Sequence, residues 1–519
     1  MREWVEQTVC RITSLQPNHV LEIGCGTGLL LFRIAPHCQQ YWGIDFSKIA
    51  LNAIRQYIAT PGHELPHVSL FQRTADNFEG IPSACFDVLI LNSVSQHFPD
   101  IAYLFQVIEG MIHAAQPGGV LFIGDVRSLP LLKLFHLSVQ LYQAPTSLSI
   151  PQLRQRVQRH LDKENEVVIS PEFFLALQQY FPQITHIQIL PKRGCFQNEL
   201  TRFRYDVMLY MAPHLPSVPP ITWIDWQKRP LTVQAIRQKL QKESPDFLGI
   251  QRIANARLMK DIRASELLTH HNIKTVGELR TLLDNIVPLQ GIDPEDLWAL
   301  SDDLPYQVDM NWANADPEGL YDVLFIKYEQ QNQPQVKQRL YAFPTQPLEN
   351  KPYTTYAHNP LRVGEQHKFI PQLREYLHEQ LPDYMIPSTF ILVDKFPFTP
   401  NGKIDRKALP LPDRTRPELE TAYVQPHSEL ETTLCKLWAE LLDMEYVGIY
   451  DDFFELGGDS LTATRLVSYL RSAFGVELSI SDVFDAHNIA TLAAHIENIF
   501  IEEIESLSEE EAQQLAFSV

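Results

Sequence analysis

HVLEIGCGTGLL, residues 19–30, decides how the first part of this chain is read. An apolar run carries Glu22, and Gly24, Gly26 and Gly28 follow before helical periodicity begins. Glycines in such a turn let the backbone bend tightly and approach a ligand closely. Outward from it, HVLEIG, YWGIDF, VSLFQ, FDVLILN and GVLFIGD read as strands, with helical stretches such as LLLFRIAPHC and KIALNAIRQYI between them. This alternation predicts an α/β fold with an open, mostly parallel sheet and helices on both faces. Ligands of such sheets sit at the carboxyl ends of the strands.

Asp45 ends the second strand, 17 residues beyond Gly28. A carboxylate there can accept hydrogen bonds from both hydroxyls of a ribose. The spacing Gly-x-Gly-x-Gly, with an acid two residues ahead, differs from the dinucleotide form Gly-x-Gly-x-x-Gly. A pyrophosphate wants a helix N-terminus presented to it. A sulfonium ligand carries a positive charge and no phosphate, so nearby carboxylates favour it. The glycine spacing thus disfavours a dinucleotide-dependent oxidoreductase.

Length and charge bound the rest. At about 100–200 residues per domain, 519 residues predict some three domains. The net charge of −20 argues against a large nucleic-acid or anionic-membrane surface, which needs a basic field. From Gln425 onward 19 acidic residues face 3 basic ones, so most of the negative charge lies in that stretch. It reads either as a solvated acidic domain or as a module that docks on basic partners. Six dispersed cysteines with no CxxC pair argue against a metal site or a disulfide framework and for a reducing, cytoplasmic setting. MREWVEQTVCRITSL reads as an amphipathic helix, not a signal peptide. Residues 130–215 start helical and end in ITHIQIL and YDVMLYM, two strands that can complete the same sheet. Residues 220–330 read as a helical insertion or cap with a final strand pair, YQVDMNW and YDVLFIKY.

The glycine run resembles motif I of class I (Rossmann-like) S-adenosylmethionine-dependent methyltransferases. The resemblance implies S-adenosylmethionine as cofactor, held by Glu22, Gly24, Gly26, Gly28 and Asp45. It also implies that Asp76 contacts the adenine amino group and that Asn92 and Ser93 line the methionine end. FDVLILNSVSQHFPD (86–100), GGVLFIGDVRSLPLLKLFHLSVQL (118–141), EVVISPEFFLAL (166–177) and KRGCFQNELTRFRYDVML (192–209) are similar to the N-methyltransferase domains inserted in adenylation domains of nonribosomal peptide synthetases. Such domains methylate the α-amine of an aminoacyl thioester, and the likeness covers residues 1–330. The family usually carries a further segment ahead of the position of Met1 that helps close the site.

Asp125, Glu199, Tyr205 and His97 are the candidate catalytic residues, to orient the amine and take its proton directly or through water. Each has a plainer reading. Asp125 can close an internal ion pair with Arg127. Glu199, Arg202 and Arg204 can be a solvated cluster, although their alternation with Leu200 and Phe203 suggests one face of a strand entering the site. Tyr205 can be core. His97 stands where the family shows a tyrosine, which suits a wall residue better than an essential base.

FFELGGDSL (453–461) resembles the attachment motif of peptidyl carrier proteins and implies 4′-phosphopantetheine on Ser460, at a loop-to-helix junction. The plainer reading of Ser460 is an N-cap. By resemblance a separate phosphopantetheinyl transferase adds the arm. LPDYMIPSTFILVDKFPFTPNGKIDRKALP (381–410) resembles the last two motifs of adenylation domains, with Lys403 as the lysine that contacts acyl phosphate and ribose. Lys403 acts only if an adenylation core is supplied from elsewhere. The expected organisation is methyltransferase 1–330, linker 331–363, a small α+β C-terminal piece of an adenylation domain 364–413, linker 414–428, a four-helix carrier 429–499 and an acidic helical tail 500–519. The expected function is N-methylation of a carrier-bound aminoacyl group, with adenylation and condensation domains as partners. The alternatives are C- or O-methylation of a carrier-bound acyl chain, or a carrier and docking piece with an inactive methyltransferase.

Overall fold

In the computed structural model, residues 2–211, 221–268, 273–285, 291–312, 316–328, 351–358, 423–442 and most of 444–506 are described, with isolated positions between 341 and 409. The chain divides into two compact units, Met1–Gly364 and Glu365–Val519.

The first unit opens with α1 (Arg2–Thr13), which buries Val5, Thr8 and Ile12 along one side. Its main sheet contains β1 (His19–Ile23), β2 (Gln40–Asp45), β3 (Val68–Gln72), β4 (Phe86–Asn92), β5 (Ala115–Arg127), β7 (His186–Pro191) and β8 (Arg204–Tyr210). A two-residue strand, β6 (Val168–Ile169), lies apart from it. The order is β3-β2-β1-β4-β5-β8-β7. The first five are parallel, while β8 runs antiparallel to both β5 and β7. ITHIQIL and YDVMLYM therefore complete the sheet, as expected. The helices are α2 (Leu31–Ile34), α3 (Lys48–Ile58), α4 (Ile101–Ala114), α5 (Leu132–Gln143), α6 (Ile150–Asp162), α7 (Pro171–Tyr180) and α8 (Glu199–Phe203).

Alternate residues of β4 reach opposite faces of the sheet. Leu89 and Leu91 join Leu104, Ile108 and Met111 of α4, whereas Val88 and Ile90 join Ile12, Leu31, Leu51 and Ile54. A strand covered on both sides reads as an unbroken apolar run, which is why FDVLILN stood out.

In residues 221–327 the expected final strand pair is present, but two further strands stand where only a helical cap is expected. The region contains β9 (Trp223–Asp225), α9 (Val233–Lys242), β10 (Phe247–Ile253), α10 (Met259–Leu267), α11 (Val276–Asn285), α12 (Pro294–Trp298), α13 (Leu300–Asp303), β11 (Tyr306–Asn311) and β12 (Tyr321–Lys327). The strands form a second sheet of order β11-β12-β10-β9, so the region is α+β. FLGIQRI, which becomes β10, is a short apolar run whose periodicity does not separate strand from helix. Trp312 N donates to Ile189 O at 2.7 Å and ties the end of β11 to β7.

In the second unit the helices Glu429–Leu441, Ser460–Phe474, Ile480–Ala486 and Ile489–Ser506 surround a core of Leu434, Trp438, Phe453, Leu466, Leu470 and Ile496. Ser428 with Glu431, and Ser479 with Asp482, form reciprocal caps that start two of these helices. A Cβ on Gly458 would lie 2.4 Å from the Phe453 ring, so the attachment motif needs glycine there for packing. The last helix carries the acidic tail as far as Ser506. Residues 507–519, most of the expected 331–363 linker, Lys403 and nearly all of the 364–413 block lie outside the described residues. Among the described residues no helix is long and apolar enough to cross a membrane.

Candidate active site

The glycine turn joins β1 to α2 at the carboxyl edge of the main sheet. Gly24, Gly26 and Gly28 have φ of 76°, 51° and 86°, in the region that favours glycine. A Cβ on Gly24 would meet Val94 at 2.4 Å, and one on Gly28 would meet Phe32 at 2.7 Å. A Cβ on Gly26 would meet nothing within 4 Å. The backbone is thus bare at Gly26, where a ligand can lie against it.

Asp45 ends β2 and locks this turn. Its Oδ2 accepts from Gly26 N and its Oδ1 from Ser47 N, both at 2.8 Å. Each carboxylate oxygen has capacity for a further donor, so two vicinal hydroxyls fit a carboxylate already fixed in place. Glu22 lies deeper than the sequence suggested. It is 3% exposed and accepts from the Tyr41 hydroxyl at 2.7 Å. Burial pushes its carboxyl up to about 7, against the lowering effect of that hydrogen bond. Glu22 is thus an enclosed carboxyl on β1, bonded to Tyr41 just ahead of the turn. Asp76 is exposed beyond β3, where the Tyr103 hydroxyl donates to it at 2.6 Å and, with Thr74, holds its pKa down.

The carboxyl ends of β4 and β5 meet at Asn92, Ser93, Gln96, Gly124 and Asp125. Asn92 pairs in register with Gly124, and a Cβ there would lie 2.2 Å from Asn92 Oδ1. Ser93 and Asp125 adopt φ of 58° and 66°. Non-glycine residues held in that region cost on the order of 1–3 kcal/mol each and cluster at functional sites. Ser93 Oγ donates to Asp125 Oδ2 at 2.8 Å, and Gln96 Nε2 donates to Ser93 O at 3.1 Å. Asn92 Oδ1, Gln96 Oε1 and Asp125 Oδ1 are buried and accept no hydrogen bond. An unsatisfied buried polar atom costs roughly 1–3 kcal/mol. All three lie where the carboxyl ends of β4 and β5 meet.

A chain of charges fixes Asp125. Arg204 donates to Asp125 Oδ2 at 3.0 Å and to Glu199 Oε1 at 2.5 Å. Lys192 Nζ lies 3.8 Å from Asp125 Oδ1 and 2.9 Å from Asp206 Oδ1. Asp206 Oδ1 also accepts from Asp125 N at 2.9 Å, and Arg11 of α1 pairs with its other oxygen. Asp206 is fully enclosed, yet Lys192 and Arg11 outweigh the effect of burial and hold its pKa below the usual range.

Three readings of these residues change. Arg127 does not pair with Asp125. It binds Glu164 at 2.8 and 2.9 Å and Glu166 at 2.9 Å, because the register of β5 against β8 shifts between Ile123 and Val126 and re-aims Asp125. Glu199 starts a helix and not a strand face, since the Asn198 side chain accepts from Leu200 N and Thr201 N and caps it. Tyr205 has no exposed surface and its hydroxyl donates to Ile169 O at 2.9 Å, so this candidate base is a core residue. Its burial pushes its pKa well above the usual tyrosine range. His97 is exposed in the turn Ser95–His97. Gln96, Lys192, Asp206 and Gly124 were not singled out from the sequence. The one signal for Asp206 is a charge inside the apolar run YDVMLYM, and nothing local marks Gln96 beside His97.

Ser460 begins the helix Ser460–Phe474, where the motif predicted a loop-to-helix junction. Among the described residues no group of three or more His, Cys, Asp or Glu is arranged to hold a metal ion.

Residues 21–121 match the family described as methyltransferase domain, and residues 432–496 match phosphopantetheine attachment site. The chain is 42% identical over 501 residues to the chondramide synthase of Chondromyces crocatus, across 95% of this chain and 12% of that protein. It is 31% identical over 505 residues to a nonribosomal peptide synthetase of Metarhizium robertsii, across 96% of this chain and 6% of that protein. Along nearly all of its length the chain is similar to segments of nonribosomal peptide synthetases. It carries a methyltransferase domain and a carrier domain, and it spans a small fraction of the length of those relatives. The cofactors that go with the two domains are S-adenosylmethionine and 4′-phosphopantetheine. Among solved structures it is similar to the N-methyltransferase NodS of Bradyrhizobium japonicum in complex with S-adenosylhomocysteine, at 16% identity and a TM-score of 0.28, across 40% of this chain and 87% of that one.

Proposed function

We propose that the first unit N-methylates the α-amine of an aminoacyl thioester carried on a phosphopantetheine arm at Ser460. What carries this reading is the set of buried acceptors without a hydrogen bond, Asn92 Oδ1, Gln96 Oε1 and Asp125 Oδ1 (the last with Lys192 Nζ 3.8 Å away), at the same sheet edge as the bare backbone at Gly26. Asp45 would hold the ribose hydroxyls through lone pairs that Gly26 and Ser47 leave free, and Asp76 would meet the adenine amino group. Asn92 and Ser93 would line the methionine end. When bound, S-adenosylmethionine supplies an electrophilic methyl group whose transfer discharges its sulfonium.

An α-amino group has a pKa of about 7.7–8.0, so a usable fraction is neutral near pH 7. The protein therefore has to position and desolvate the amine more than deprotonate it. Acceptors at Gln96 and Asp125 can take the amine N–H groups and leave its lone pair toward the methyl carbon. The Asp125 carboxylate, braced by Arg204 and Lys192, then faces the positive charge that appears on nitrogen. Glu199, 43% exposed and paired with Arg204, offers a route for the proton to solvent. Methylation at carbon needs a strong base to make an enolate. Tyr205 is enclosed and His97 faces solvent, which favours nitrogen over carbon.

A separate phosphopantetheinyl transferase would install the arm, an adenylation activity would load it, and a condensation partner would take the product. Lys403 would take part only with an adenylation core. The test is to load an aminoacyl-phosphopantetheine arm on the chain, add donor and weigh the intact protein. A gain of one methyl, lost in Asp45→Ala and absent from Ser460→Ala, is expected, with fragmentation locating the methyl on nitrogen. A methyl found on carbon or oxygen defeats the reading.

A further inference from the structure

At the carboxyl edge of the main sheet, with Lys192 between it and Asp125, a cavity of about 250 Å³ lies between α1 and the segment that links β7 to α8. Because β8 is antiparallel to β5, its first residues stand at the same edge as the end of β5, and the end of β7 stands beside them. Lys192, at the floor of the cavity, is 3.8 Å from Asp125 Oδ1.

The polar groups of the lining are nearly all committed elsewhere. Lys192 pairs with Asp206 at 2.9 Å. Glu3 accepts from Cys195 N at 2.7 Å and Phe196 N at 3.3 Å. Arg2 pairs with Glu6. Arg193 is bound to Glu295 and stacks on Trp298 at 4.5 Å. Asn198 caps α8, and Thr201 Oγ1 donates to Phe196 O. What remains is apolar surface on Phe196, 70% exposed, and Leu200, together with the Trp4 indole N–H, buried without a hydrogen-bond partner.

Resting on the N-methylation reading, we infer that this cavity receives the side chain of the acceptor amino acid and selects bulky, uncharged, aromatic or large apolar ones. Charged side chains are disfavoured, because Lys192 and Arg193 are already ion-paired, Glu3 is held by two backbone N–H groups, and burying a charge without both a counter-charge and hydrogen bonds is costly. At about 30 Å³ per water-sized group, the space takes roughly eight non-hydrogen atoms, the size of a hydroxybenzyl group. The amine at Asp125 and the side chain at Trp4, Phe196 and Leu200 then hold the acceptor at two points, which fixes the lone pair's direction.

The experiment offers the full chain a series of aminoacyl-pantetheine thioesters (glycyl, leucyl, phenylalanyl, tyrosyl, aspartyl, lysyl) with donor present. In parallel, calorimetry measures binding of the matching non-hydrolysable amides in the presence of S-adenosylhomocysteine. Phenylalanyl and tyrosyl substrates are expected to exceed glycyl by about 100-fold in kcat/KM, since one methylene in an apolar pocket is worth about 10–200-fold. Aspartyl and lysyl substrates are expected to fall with glycyl. Phe196→Ala, at an exposed position that leaves the core intact, should cut the phenylalanyl-to-glycyl ratio at least tenfold, and Leu200→Phe, which fills the space, should do the same. Both variants should bind S-adenosylhomocysteine as the parent does. Equal use of glycyl and phenylalanyl substrates, a preference for charged ones, or a ratio unmoved by both variants overturns the inference. If no thioester is methylated, the functional reading fails, and the amides still decide the cavity: a bulk preference that both variants abolish supports it, and its absence sinks it.

Discussion

Replacing Glu22 with glutamine should stabilise the first unit at pH 8 and do nothing at pH 4. Glu22 is buried under the glycine turn, and its folded carboxyl titrates at about 7 against 4.5 when exposed. A raised folded value means that the neutral form is the one the fold prefers. The penalty is absent below pH 4.5, appears as pH rises through the window from 4.5 to 7, and is complete above 7. At about 1.36 kcal/mol per pH unit, the span from 4.5 to about 7 costs the folded state about 3 kcal/mol. Glutamine keeps an oxygen for the Tyr41 hydroxyl, now 2.7 Å from Glu22, while removing the ionisable group. Urea unfolding of the parent and the Glu22→Gln chain at pH 4, 6 and 8, followed by tryptophan fluorescence, measures the difference. The expected gain is near zero at pH 4 and reaches up to about 3 kcal/mol at pH 8. A variant less stable than the parent at pH 8, or an equal gain at pH 4 and pH 8, would refute the reasoning.

Asp206→Asn leaves Lys192 and Arg11 buried opposite a neutral amide, and breaking a buried pair in this way is expected to cost about 3–5 kcal/mol in urea unfolding. Gly28→Ala combines a φ of 86° with a Cβ 2.7 Å from the Phe32 ring. Strain and overpacking each cost about 1–3 kcal/mol, and the loss should register as a lower urea midpoint together with weakened S-adenosylhomocysteine binding by calorimetry. Tyr205→Phe removes one neutral hydrogen bond to Ile169 O, worth about 1 kcal/mol of stability. Methyl transfer by that variant should stay within about twofold of the parent, and a hundredfold fall would return Tyr205 to the chemistry.

The sequence by itself determined the main sheet, the turn and the carrier signature. Buried parallel strands need apolar residues on both faces, and a turn at positive φ needs glycine, so these demands are written locally in residues 19–45 and 86–92, while in 453–461 it is the close packing of Phe453 that demands Gly458. Tertiary structure alone decided which charges meet. Asp125 and Arg127 are neighbours in the chain, yet the shifted register of β5 sends one to Arg204 and Lys192 and the other to Glu164. Arg11 and Asp206 are 195 positions apart and nothing local marks them as partners. Tyr205 is a candidate proton acceptor by residue type alone, whereas its place in β8 puts it in the core. The second sheet stayed hidden for a related reason: β10 is made a strand by pairing with β12 and β9, and a short apolar run carries no record of the partners it will find.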